Sequence, residues 1–289
     1  MVVMVVVVAS WRQKYYSEHL LKSLEGPLPA DDPELLHYLR EQVLEPPSAG
    51  PYNPGIDLLK IPVASVAFYN SSVEGLFGGE RGGFFVEAGA LDGESMSNTL
   101  WLEQERGWTG LLVEADRTAF LALRDKRRKA WAANVCLAPT PFPAKAAFRT
   151  SSQANSKGLI VDIKHRAMNS LVEFADEKVV SRSWFTMVQC VPLESLLLAL
   201  GVGRVHLLVL DVEGAERAIM SHLDLGRFDV QVVFLEWKKM EEVEEVKKDM
   251  ARRGYVLEAR RTEDFVFVKK DSQYEGRLRR RRRGMAVYN

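Results

Sequence analysis

The sequence predicts an α/β fold, a doubly wound and mostly parallel sheet closed by an antiparallel edge strand. Three stretches carry that expectation. FFVEAGALDGESMSNTLWLEQERGWTGLLVEAD, from Phe84 to Asp116, reads as strand, glycine-bearing turn, helix, strand and acidic end. VHLLVLDVEGAERAIMSHL, from Val205, repeats the pattern: an apolar strand, two carboxylates, a glycine and a helix. Near the end, Tyr255 to Arg261 and Phe265 to Lys269 read as two strands around the polar turn RTED, a terminal hairpin.

The elements follow in chain order. Met1 to Ala9 reads MVVMVVVVA, shorter than the roughly 20 apolar residues a bilayer requires. It lacks a positive n-region, and Trp11, Arg12 and Lys14 follow at once. Two readings stand: a buried element, or the last turns of a signal anchor that starts upstream. The first implies a cytoplasmic protein and the second the membranes of the secretory pathway. Tyr15 to Leu24 is amphipathic and helical in pattern until Gly26-Pro27 and Pro29 break it. Asp31-Asp32-Pro33 is a helix start, and Leu35, Leu36, Leu39 and Val43 form an apolar face. EPPSAGPYNPG, Glu45 to Gly55, holds four prolines and reads as a linker. It ends an N-terminal extension (1–55) ahead of the main domain (56–271) and a basic tail (272–289).

Within the main domain, GLFGGERGG (Gly75 to Gly83) reads as a loop feeding the first strand, Phe84 to Val86. Ser95 to Arg106 fits a helix stopped by Gly107, and Leu111 to Val113 the next strand. Arg117 to Lys129 fits a second helix and Trp131 to Leu137 a third strand. Pro139, Pro141 and Pro143 then end regular structure; Ala147 to Lys164 reads as an irregular β excursion around SSQANSKG, and Asn169 to Glu177 has no clear pattern. Met187 to Val191 is a strand, Pro192 to Leu200 a helix, and Val230 to Leu235 a buried strand ending at Glu236 and Trp237. Lys238 to Arg253 is a charged helix with Met240, Val243, Val246 and Met250 inward, capped by Gly254.

Composition narrows the function. With 39 basic and 39 acidic residues the formal charge is zero, but six arginines crowd Arg277 to Arg283 and leave the body mildly acidic. That balance argues against a broad nucleic-acid face. The arginine run reads as a solvated, disordered tail, with Arg279 to Arg283 available to acidic lipid headgroups. The five histidines show no metal-ligand spacing, so no zinc site is expected, and His206, in an apolar strand, reads as a satisfied core residue.

The first glycine turn indicates the ligand. Dinucleotide folds place G-x-G-x-x-G where a pyrophosphate meets a helix N-terminus. Here Glu87 and Asp92 flank Gly89, Ala90 and Gly93 instead, and carboxylates repel a pyrophosphate. They suit a ligand with a cationic centre, an ammonium and a ribose, which describes S-adenosyl-L-methionine. Glu114 stands about 20–25 residues past the first glycine, where nucleotide-binding sheets place the acceptor for ribose hydroxyls. The fourth strand lies beside the first in such sheets, so Asp211 and Glu213 are expected in the same cleft.

FVEAGALDGESMSNTLWLE, GWTGLLVEAD, KAWAANVCLAP, CVPLESLLLAL and LDVEGAE, with DDPELLHYLREQVLEPPSAGPYN ahead of them, resemble the FkbM family of SAM-dependent methyltransferase domains, and most of all its Star-like animal subgroup. The resemblance implies a class I SAM-methyltransferase (Rossmann-like) sheet. It places Glu87, Gly89 and Asp92 at the cofactor's methionine end and Glu114 at its ribose, with Ala90, Gly93, Asn98 and Ala115 completing the cofactor set. Asp211 and Glu213 would lie near the transferred methyl, as proton acceptor, as oxygen ligands for a divalent ion, or as structural carboxylates at the strand end. Microbial members imply a sugar or small-molecule hydroxyl as acceptor. Star-like members imply a membrane-trafficking factor that carries a growth-factor precursor and uses the fold as a binding module. Cys136 and Cys190 match cysteines of that pattern, and either a disulfide or two buried thiols fits them.

Overall fold

The structure, a computed structural model, describes residues 20, 24–55, 64–150, 167–175 and 184–286. The apolar Met1–Ala9 stretch, most of the Tyr15–Leu24 helix, the SSQANSKG centre and His165 fall outside those residues. Along the chain, α1 (Pro33–Tyr38) passes through a π turn into β1 (Leu44–Glu45), and α2 (Ala64–Phe77) precedes β2 (Phe84–Ala88). Then come α3 (Leu100–Arg106), β3 (Thr109–Val113), α4 (Arg117–Asp125) and β4 (Trp131–Ala133). An excursion follows: β5 (Cys136–Leu137), β6 (Ala144–Thr150), β7 (Ser170–Leu171) and β8 (Trp184–Val191). The chain returns through α5 (Leu193–Leu200), β9 (Leu207–Leu210), α6 (Glu216–His222) and β10 (Val232–Glu236). It closes with α7 (Val243–Arg252), β11 (Tyr255–Arg261), β12 (Asp264–Lys269) and α8 (Arg277–Ala286).

The main sheet has eight strands in the order β1-β4-β3-β2-β9-β10-β12-β11. The five central strands are parallel, and β12 inserts antiparallel between β10 and β11. The order reverses between β2 and β9, the switch point where open α/β sheets bind ligands. This strand order is that of a class I SAM-methyltransferase sheet. Both faces are buried, as continuous apolar strands require. Val86, Leu111, Leu208 and Val233 pack into one core layer and Phe85, Leu112, Leu207 and Val232 into the other.

The local chemistry that starts and stops the helices is visible. The Asp32 carboxylate accepts from the N–H groups of Glu34 and Leu35, and Asp116 caps α4 through Thr118 and Ala119. Gly107 ends α3 with φ 63°, a left-handed value that glycine adopts freely.

Several boundaries differ from the sequence reading. Helix α2 runs through Gly75 to Phe77, where a loop is expected, because Tyr69, Val73, Leu76 and Phe77 bury one of its faces. The expected strand from Trp131 to Leu137 splits: β4 belongs to the main sheet, whereas β5 joins a second, four-stranded sheet ordered β5-β8-β6-β7. Leu44 and Glu45, at the start of the proline linker, pair antiparallel with Ala133 and Ala132. Leu35, Leu39 and Leu44 of the extension share the main core. The arginine run is a docked helix rather than a disordered tail. Arg279 reaches the buried Glu258 at 2.7 Å, Arg281 reaches Glu74 at 3.2 Å, and Arg277 stacks on Tyr274. Two arginines of the suggested lipid contact are therefore engaged within the chain. Cys136 and Cys190, directly paired across β5 and β8, form a disulfide. Among the described residues no helix is long and apolar enough to cross a membrane.

Candidate functional site: a cleft at the switch point

At the carboxyl ends of β2, β3 and β9 lies an open cleft with a cavity volume of about 200 Å³. Its floor exists because Gly89 carries no side chain. With φ +86° the residue turns out of β2, and a Cβ on it would sit 1.9 Å from the Asp211 carbonyl oxygen. The tip of β2 therefore touches the tip of β9, with Asp211 N–H donating to Ala88 O at 3.1 Å. The N–H groups of Gly89 and Ala90 both reach Val113 O on the other side, tying in β3. Glu87, Glu114 and Asp211, from three adjacent strands, thus line one space with Gly89, Ala90 and Ala115.

Residues 89–99 form an irregular loop, and the expected helix from Ser95 begins only at Leu100. The reason is Glu87. Its buried carboxylate accepts from the Ser97 hydroxyl (2.9 Å), the Asn98 N–H (2.7 Å) and the Thr99 hydroxyl, holding the looped segment over the strand end. Asn98 is left with its side-chain Oδ1 buried in the cleft and unpartnered. Leu91 and Met96, also on the wall, have φ of 50° and 62°. Such backbone strain concentrates at functional sites.

Not every expected residue arrives there. Asp92 is buried, but its carboxylate accepts from the N–H groups of Glu94 and Ser95 and from the Ser95 hydroxyl, so it braces the loop from behind. Gly93, at φ +74°, packs against Leu123 and does not line the cleft. Both belong to the loop's frame rather than to its surface.

Glu114 is buried at the tip of β3. Its oxygens accept from the N–H groups of Leu91 and Asp116, each at 2.7 Å. These bonds favour the charged form, but loss of water outweighs them and pushes its pKa up to about 8. The sign of the linkage is definite. The raised acid contributes stability that is full below its unfolded value near 4.5 and is lost as pH rises through about 8. Urea midpoints for Glu114→Gln are expected to fall less steeply over that window than those of the native protein. Parallel slopes would refute the assignment.

At the tip of β9 the carboxylates divide their tasks. Glu216, not Asp211, accepts the backbone N–H groups of Val212 and Gly214, and burial raises its pKa to about 7. The Asp211 carboxyl instead meets Glu236 from β10; burial first, then that neighbour, raises its pKa well above the usual carboxylate range. Glu213, at φ 63°, is bonded to Lys238, yet burial still raises its pKa. Glu236 also lines the cleft. Sequence reasoning noted it at a strand end without assigning it; its position one strand beyond Asp211 was the available signal.

Leu137, Phe148 and Leu171 from the second sheet, with Val135 just ahead of it, supply an apolar wall. Tyr69 of α2 closes the end beneath Asp211 and Glu236, its ring stacked on Phe234. His206 is satisfied, its Nδ1 accepting from Phe84 N–H at 3.0 Å, but it sits half-buried just ahead of β9 rather than in the core.

The cleft suits S-adenosyl-L-methionine on its own chemistry. Gly89 and Ala90 leave room for close approach, the orphaned Asn98 Oδ1 can accept from an ammonium, and Glu87, Glu114 and Asp211 give a negative field for a cationic nucleoside. Comparison with known proteins agrees. Residues 87–257, more than half of the chain, match the family model described as Methyltransferase FkbM domain. No curated protein matches the sequence. Two solved structures resemble the chain: the METTL16 MTase domain (crystal form 2), at 14% identity and TM-score 0.40, over 86% of this chain and 83% of that one; and a human methyltransferase 10 domain containing protein, at 13% and 0.37, over 83% and 99%. Strand order and register, rather than these scores, define the fold.

Proposed function

The chain belongs to the FkbM methyltransferase domain family, and from that premise we propose that it methylates a hydroxyl group of a sugar or other small molecule, with S-adenosyl-L-methionine as donor. The observation that carries this reading is the convergence of Glu87, Glu114 and Asp211 around the Gly89 turn. Bound there, the cofactor supplies an already activated methyl group, so the protein's work is positioning and proton acceptance. Glu114 receives ribose hydroxyls through lone pairs that its two backbone donors leave free. Asn98 Oδ1 and the Glu87-held loop receive the amino-acid end. Ala90 and Ala115 are small and leave the purine and ribose unobstructed. Asp211, with Glu213 and Glu236 beside it, faces the reacting end and takes up the acceptor's proton. The apolar wall from the second sheet excludes water.

Calorimetric titration with S-adenosyl-L-methionine tests the reading. Saturable binding is expected, weakened about tenfold or more by Asn98→Ala and by Glu114→Ala, the effect of losing one good hydrogen bond to a polar ligand. No heat at millimolar cofactor, or unchanged affinity in both variants, would remove it.

One observation favours a second reading. The Cys136–Cys190 disulfide suits an oxidising compartment, where disulfides persist. A Star-like trafficking factor of the secretory pathway, binding a membrane cargo protein through this fold without turnover, fits that compartment. Thiol labelling of protein isolated from cells without reductant decides the point: two reactive cysteines after denaturation would end this alternative.

A further inference from the structure

We propose that Asp211, Glu213 and Glu236 form a binding site for one divalent cation of the Mg²⁺ or Mn²⁺ class, at the end of the cleft where β9 and β10 finish. The site goes beyond the proposed methyl transfer and does not need it to be correct. One oxygen from each of the three carboxylates lies within 4.8 Å of the others. That spread matches oxygens placed around one hard cation, whose bonds run roughly 2.0–2.6 Å and whose remaining positions are filled by water. Asp211 and Glu236 follow adjacent parallel strands in fixed register, Leu210 opposite Leu235, so their spacing is built into the sheet, and Glu213 joins them from the turn after β9. Asp264 adds a fourth carboxylate directly across from Glu236 on β12.

Among the described residues the charge is met only in part. Lys238 bonds Glu213 and approaches Glu236 Oε2 only at 3.5 Å, with its side chain 37% exposed, and Arg149 adds a longer-range attraction to Glu213. An independent observation points to a missing ligand. The Tyr69 hydroxyl, on a residue only 3% exposed, makes no hydrogen bond of good geometry: its polar neighbour is the Asp264 carboxyl, and it faces the fields of Asp211 and Glu236. Its ring is fixed by stacking on Phe234 at 4.8 Å, so the hydroxyl is held there. Glu236 Oε2 is likewise buried without a hydrogen bond. A hydrated divalent ion satisfies both atoms: the carboxylate oxygen binds the metal, and a metal-bound water meets the tyrosine. Hard oxygen donors alone, without histidine or thiolate, select this class of metal over zinc or copper.

The probe is Mn²⁺ alone, followed by the loss of its free-ion electron paramagnetic resonance signal on adding the full chain. One equivalent is expected to bind, and Mg²⁺ to displace it. Asp211→Asn and Glu236→Gln should each weaken binding about tenfold or more. Lys238→Met, at a half-exposed position that tolerates change, should strengthen it severalfold by removing the competing ammonium. Absence of saturable binding in both the native protein and Lys238→Met, or binding indifferent to Asp211→Asn, would overturn the site. Cofactor titrated into the same samples separates the two ideas: cofactor binding without Mn²⁺ binding removes the cation site alone, and Mn²⁺ binding without cofactor binding removes the methyltransferase reading alone.

Discussion

Replacing Gly89 by alanine is expected to unfold most of the protein or lower its stability by at least ~3 kcal/mol, the range of severe overpacking. Two effects add. A left-handed φ of +86° is strained for any residue with a Cβ, and here that Cβ would lie 1.9 Å from the Asp211 carbonyl oxygen. The obstacle is backbone, so no rotamer change relieves it. β2 and β9 must separate, which breaks the Asp211 N–H to Ala88 O bond at the centre of the sheet. Against a total stability of about 5–15 kcal/mol the loss is decisive. Soluble yield and urea midpoint measure it. A well-folded Gly89→Ala protein with an unchanged midpoint would mean that the two strand tips do not touch, and the cleft as described would not exist.

Arg128→Met is expected to cost about 3–5 kcal/mol, the penalty for leaving one partner of a buried pair alone. The Arg128 Nε bonds Glu103 at 2.9 Å, and the two side chains are 2% and 0% exposed. The same guanidinium donates to Gly93 O and to the hydroxyls of Ser97 and Thr99. It therefore pins the loop that carries Asn98, and the variant should lose cofactor affinity as well as stability. Adding Glu103→Gln should recover part of the stability, since the uncompensated charge is gone, but not the affinity. The paired measurement is chemical denaturation beside cofactor titration. A stability change below ~1 kcal/mol would place the pair in solvent, where such bridges count for little.

Much of this site was legible in the residue order. Local rules found the parallel strands by their apolar runs, the Gly89 turn by its small residues, and the acids at the strand ends by position. The errors arose where a distant partner overrode a local rule. Ser95 to Thr99 follows a plausible helix start, but Asp92 captures the donors of Ser95 and Glu87 those of Ser97, Asn98 and Thr99. Asp92 looked like a ligand carboxylate and is a turn brace, because the nearest unsatisfied N–H groups were its own neighbours'. The arginine run looked solvated because its counter-charges, Glu74 and Glu258, are far away in sequence.

What the sequence determined alone was the repeating strand–turn–helix unit and the acids at the strand ends, since each rests on spacing within one stretch of chain. What only the tertiary structure decided was the company those residues keep: Glu236 beside Asp211, Tyr69 beneath them, and the Cys136–Cys190 bridge in the second sheet. The reason is physical. Contacts across neighbouring strands depend on sheet order and register, which are set by packing of the whole core and leave no periodic trace in any one segment.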